Sequence, residues 1–247
     1  MKKHNISLKQ PHIRAKIIGT ILIIIGISTI IINTSSYLKL GFASIIIGLL
    51  IIFMITERSV PKNISDAQIQ GNLDTIKNIT KNLNLTGNAL FLPKSTIRVE
   101  VRIIIPLNKN NKEIPEIDDD YVFSTGGDGK SLGIAVPPSG LKLLKEIEKQ
   151  YDFSNISIDE LEEPLQIFVG MDLLKSVALY RDNDQYKLEL EKPVFCSKDP
   201  TLCNQYPCPT CSAVLTAITR ATNQKIRINE TIINGKKTAF HFKLGDK

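Results

Sequence analysis

Two apolar runs, Ile17–Ile32 and Leu40–Ile55, stand almost back to back near the start of the chain, with the polar link 33–39 between them. Neither run contains a charged residue. A helix rises ~1.5 Å per residue, so ~17–20 residues cross the ~30 Å apolar core of a bilayer. Backbone groups in lipid must be satisfied within the segment, which makes helix the expected form. The pattern predicts a transmembrane helical hairpin over 17–56, preceded by a basic tail over 1–16. Gly19 and Gly26 are one heptad apart, as are Gly41 and Gly48, with Ser44 between the second pair. Small residues so spaced offer a seam for close helix approach, although Gly and Ser are also common in spans. Five Lys or Arg precede the first run, and the link holds only Lys39. That asymmetry predicts a two-pass protein of the cell membrane with both termini cytoplasmic and the lipid bilayer as a partner.

Downstream the pattern changes from continuous to periodic. Ile69, Leu73, Ile76 and Leu83 recur at helical spacing after Ser65, with Gly87 as a stop, and predict an amphipathic juxtamembrane helix within 57–92. Residues 95–105 alternate Ile97, Val99, Val101 and Ile103 against Arg98, Glu100 and Arg102, the signature of a half-buried strand. Strands over 121–124 and 132–136 flank a Gly-rich turn. A helix follows over 139–151, then a helical region over 158–174 interrupted at Pro164. The last third is the clearest. Strands over 177–181 and 186–191 flank an Asp-Asn-Asp turn. A helix over 209–222 precedes strands over 224–233 and 238–244, joined through Asn234-Gly235, a hairpin signal. The expected class is α+β: a transmembrane hairpin followed by a mainly antiparallel soluble domain over 93–247.

Charge refines this picture. The chain is +6 overall, but residues 1–58 hold seven Lys or Arg against one acid, and the remainder balances at 24 of each sign. The surplus therefore lies beside the apolar runs, and the domain has no basic footprint for nucleic acid. Only one of the three histidines, His241, falls in the domain. General acid–base and triad chemistry would have to use it, which argues against a hydrolase and makes a non-enzyme the better expectation.

Four cysteines crowd into sixteen residues: Cys196, Cys203, Cys208 and Cys211. Four thiolates match the tetrahedral shell of structural zinc, or an iron–sulfur cluster. The pair Cys208 and Cys211 opens a predicted helix, whose N-terminus favours thiolate. Cys208-Pro-Thr-Cys211 is similar to the dithiol of glutaredoxins over four residues, but too little chain follows it to complete that fold. Structural disulfides are disfavoured by the expected cytoplasmic location. The loop Thr125–Ser131 has Gly and Lys as a phosphate loop does, yet a strand rather than a helix follows it, so a hairpin turn is the reading. Glu113, Glu116, Asp118, Asp119 and Asp120 form an acidic loop.

The order of Tyr186–Leu244, strand, cysteine-bearing segment, helix, strand, turn, strand, resembles the end of vinyl-reductase-type ligand-binding domains. That family has a further cysteine near the position of Thr238 or Ala239. The whole chain also resembles uncharacterised archaeal proteins with a two-helix anchor and a C-P-x-C-S segment, a likeness that implies no activity. The expected function is a membrane-anchored cytoplasmic module that binds a protein partner or small ligand, stabilised by a four-cysteine metal site. The alternative is a membrane-tethered redox protein using an iron–sulfur cluster or the Cys208/Cys211 dithiol.

Overall fold

The computed structural model describes residues 11–32, 35–54, 62–95, 98–108, 122–125, 132–194, 196 and 199–245. The acidic loop, the Gly-rich loop 126–131 and the basic residues before Pro11 lie outside them. The chain divides into two compact units, Met1–Ser65 and Asp66–Lys247.

The first unit is a pair of helices, α1 (Pro11–Ile31) and α2 (Ser35–Met54). The four glycines do form a seam. A Cβ on Gly19 would meet the Gly48 carbonyl at 3.0 Å, and one on Gly26 would meet that of Gly41 at 2.7 Å. The Ser44 hydroxyl donates across the pair to the Leu22 carbonyl at 2.9 Å. Backbones this close require small residues at the contact. The outward residues are large and apolar: Ile31 is 75% exposed and Phe53 74%. A contiguous apolar surface of this kind marks an interaction surface.

The transmembrane expectation is corrected here. Among the described residues, no helix is long and apolar enough to cross a membrane. The first turns of α1 carry Arg14 and Lys16, and α2 carries Lys39. Each leaves an uncharged stretch of about 15 residues, or ~22 Å, short of the ~30 Å core. The two-pass placement, the membrane localisation and the assignment of cytoplasmic termini fall with it.

The second unit is built on an eight-stranded antiparallel sheet with helices. Its elements are α3 (Lys62–Asn82), β1 (Leu90–Leu92), β2 (Arg102–Pro106), β3 (Phe123–Thr125), β4 (Leu132–Val136), α4 (Leu141–Ile147), a 3-10 turn (Ile158–Glu160), α5 (Glu162–Leu165), α6 (Ile167–Gly170), β5 (Ser176–Asp182), β6 (Gln185–Glu191), α7 (Pro200–Gln205), α8 (Pro209–Thr222), β7 (Lys225–Asn234) and β8 (Lys237–Gly245). Strand order is β3-β4-β2-β1-β7-β8-β6-β5.

One face of the sheet carries Phe91, Ile103, Ile105, Leu188, Leu190, Ile226, Phe240 and Phe242, all fully buried in one core with α8. Helix α8 is buried nearly all round, from Thr210 to Thr219. Its threonines tolerate this because Thr216 and Thr219 donate to carbonyls one turn back, of Ser212 and Leu215. The apolar stripe of α3 turns inward on the same core, with Leu73 buried and Ile69 and Ile76 packed against it.

Two departures from the sequence pattern have separate causes. Leu90, Leu92, Ile104 and Ala135 form a second buried cluster on the opposite sheet face. Strands buried on both sides read as continuous apolar runs rather than alternation. Strand β1 therefore carried no strand signal, while the alternating stretch 95–105 becomes a strand only from Arg102. Before that, Ser95 and Arg98 bond to each other, and Arg98 is buried with its Nε donating to the Pro93 carbonyl at 2.8 Å. Val99, expected inside, is 72% exposed.

Candidate metal centre

Each cysteine is delivered by a different local device. Cys196 follows β6 outside regular structure. Cys203 sits within α7, a helix the sequence pattern did not suggest. Asp199 caps it, accepting from the backbone N–H groups of Thr201 and Leu202, and Pro200 occupies the first turn. Asp-Pro ahead of a short apolar turn is a helix start, and that signal was available in the sequence. Cys208 is the N-cap of α8, again with Pro in the first turn, and Cys211 follows one turn on.

The neighbouring chain locks this arrangement. The Thr210 hydroxyl donates to the Val194 carbonyl at 2.6 Å, tying the start of α8 to the exit of β6. Ser139 Oγ donates to the Pro207 carbonyl at 2.6 Å, and Tyr206 donates to that of Pro137 at 3.1 Å. Gly140, the residue before α4, lies directly on the backbone of α8. A Cβ there would fall 2.2 Å from the Pro209 carbonyl oxygen and 2.3 Å from the Ala213 nitrogen.

The sulfurs of Cys196, Cys208 and Cys211 all lie within 4.8 Å of one another, so three cysteines are close enough to hold a metal ion. Cys196 and Cys211 are 3.9 Å apart, and all four cysteines are free. A disulfide needs ~2.05 Å, whereas the sulfur–sulfur edge of a tetrahedral zinc site with ~2.3 Å bonds is ~3.8 Å. Cys203, Cys208 and Cys211 are wholly buried, and Cys196 is partly exposed. Cys196 is the hub. Hydrogen bonding from Cys203 first, then Cys208 and Cys211, holds its thiol far below the usual range. The same contacts push the other three up: Cys203 and Cys211 well above the ordinary thiol value, and Cys208 to about 12, with burial adding in each case.

Two residues outside the sequence-based set matter. Thr238 Oγ1 on β8 is 3.7 Å from Cys196 Sγ. Lys77 on α3 pairs with Asp199 at 2.7 Å and holds that carboxyl below its ordinary range. Helix α7 also fastens the chain after α3: Gln205 donates to the Leu85 carbonyl at 2.6 Å, and Ala89 N–H donates to the Asn204 carbonyl at 2.7 Å. The cysteine-bearing helix is therefore a clasp on the α3–β1 connection. Asp199→Ala removes the cap of that clasp and should lower stability by about 1 kcal/mol. Thermal melts of the full chain check this, with Lys77→Met, which leaves the cap intact, expected to have a smaller effect.

His241 lies on β8 opposite Lys187 of β6, alternating with buried Phe240 and Phe242. It is on the sheet face away from the core and does not join the cysteines.

The family described as a domain of unknown function, DUF7982, matches residues 10–179. The chain belongs to this family. The match ends ahead of Cys196, so the cysteine cluster lies beyond the matched residues. No curated protein and no solved structure matches the chain.

Proposed function

We propose that the second unit is a binding module whose cysteines hold one structural zinc ion, with Cys196, Cys208 and Cys211 as ligands and Cys203 completing the shell. The observation that carries this reading is the grouping of three sulfurs within 4.8 Å, two of them at the edge length of a tetrahedral site. The donor set is all sulfur, the chemistry zinc and other soft ions prefer. The Cys203 thiol interacts with that of Cys196, which puts the fourth sulfur beside the other three. Three of the four cysteines are wholly buried, which favours a structural over a catalytic ion. Bound there, the ion would tie the exit of β6, α7 and the start of α8 together.

The sulfur spacing supports a single ion over an iron–sulfur cluster, which distributes its cysteines over several irons. The dithiol reading loses support because Cys208 and Cys211 are both wholly buried, out of reach of a partner's disulfide. Metal analysis of the anaerobically purified full chain tests the proposal. The expected result is colourless protein with about one zinc per chain. Four free thiols and no metal would overturn it, and iron with visible absorption would return the electron-transfer reading.

A further inference from the structure

Resting on the metal reading above, we infer that Cys196 is the oxidant-facing thiol of the cluster, and that hydroperoxides drive it into a disulfide with Cys211 that expels the ion. Access is the first argument. Cys203, Cys208 and Cys211 are each 0% exposed, while Cys196 keeps part of its surface in solvent. Cys196 is therefore the residue of the four that a small oxidant can approach. Position is the second. Cys196 lies outside regular secondary structure, between β6 and α7, so its backbone is not held in a ladder. Cys211 sits 3.9 Å away in the first turn of a helix locked by Gly140 and Thr210. Closing that gap to ~2.05 Å requires only that the less constrained partner move inward.

The chemistry balances with a hydroperoxide as the named oxidant. The Cys196 sulfur, a thiolate while it binds metal, attacks the peroxide oxygen. The O–O bond breaks, Cys196 becomes a sulfenic acid, and an alcohol leaves after taking up a proton. The Cys211 sulfur then attacks the sulfenic sulfur, the S–S bond forms, and water leaves. Two sulfurs have each given one electron, and the peroxide has taken two. Two of the four donors are then lost to the ion, and Cys203 and Cys208 alone do not complete a closed tetrahedral site. The cluster would so convert peroxide exposure into release of the α7 clasp from Leu85 and Ala89.

The test treats the zinc-loaded full chain with hydrogen peroxide while following zinc with a metallochromic dye and thiols by non-reducing peptide mapping. Expected are one zinc released per disulfide and a Cys196–Cys211 bridge. A sulfenic-acid probe present during brief exposure should label Cys196 in the unmutated chain, which avoids dependence on a variant that fails to fold. First labelling at Cys203, Cys208 or Cys211, a bridge lacking either Cys196 or Cys211, or zinc and thiols intact after excess peroxide would overturn the inference. Chain purified without metal that still forms the bridge would sink the zinc reading and leave the thiol chemistry standing. A zinc-loaded chain that resists peroxide does the reverse.

Discussion

Replacing Cys208 by serine is expected to strip the ion from the chain and remove most of the stability of the second unit. Structural zinc contributes about 10–16 kcal/mol of apparent binding energy in small metal-dependent folds, more than the whole net stability of a typical domain. The substitution itself is nearly isosteric. Leaving a buried hydroxyl without a partner would cost about 1–3 kcal/mol, so a much larger loss isolates the metal contribution. Cys208 is the N-cap of α8, so its thiol sits where that helix begins. Denaturant unfolding of the full chain, with and without a strong chelator, measures this. The variant and the chelated parent should unfold alike, far below the metal-loaded parent. A loss confined to ~1–3 kcal/mol and indifferent to chelator would count against a structural ion.

Gly140→Ala should destabilise the same unit by about 3 kcal/mol or more, through packing rather than ligation. The atoms its Cβ would strike, the Pro209 carbonyl oxygen at 2.2 Å and the Ala213 nitrogen at 2.3 Å, are backbone. No rotamer change relieves such a clash, so α4 and α8 must separate. Pro209 adjoins Cys208, and the separation should also weaken metal retention. Gly71→Ala in α3 is the control. Nothing lies within 4 Å of its added Cβ, and the change should stabilise by about 0.5–1 kcal/mol because alanine loses less entropy in a helix. Melting curves and zinc content of both variants decide the matter. Equal behaviour of the two glycines would mean that the close approach at Gly140 is not rigid.

Legibility in the sequence tracked how local each signal was. Strand β4 and helix α8 fall where the pattern put them, because a Gly-rich turn before a short apolar run and Pro-led capping act within a few residues. The β7–β8 hairpin pivots on Gly235 in a left-handed conformation, as Asn234-Gly235 predicts. Strand β1 was invisible because burial on two faces erases alternation. The stretch 95–105 misled because Arg98 found a buried carbonyl to bind, so its charge did not mark an outer face. The apolar runs were read correctly as helices, the structure decided for the glycine seam over the alternative left open beside it, and the step to a membrane span failed on length.

That failure bears on the cysteines. The case against disulfides had rested on a cytoplasmic location that no longer stands. The geometry supplies an independent argument, since sulfurs 3.9 Å apart are unbridged and spaced as ligands of one ion. By itself the chain determined helix α8, the β5–β6 and β7–β8 hairpins and the clustering of four thiols in sixteen residues. Those follow from periodicity, turn chemistry and spacing, which are properties of neighbours in sequence. Only the tertiary structure decided that Cys196 is the hub, that Thr238 and Gly140 flank the site, and that α7 clasps the α3–β1 connection. The Thr238 contact and the α7 clasp join residues 42 and 120 positions apart, and no local pattern encodes such a meeting.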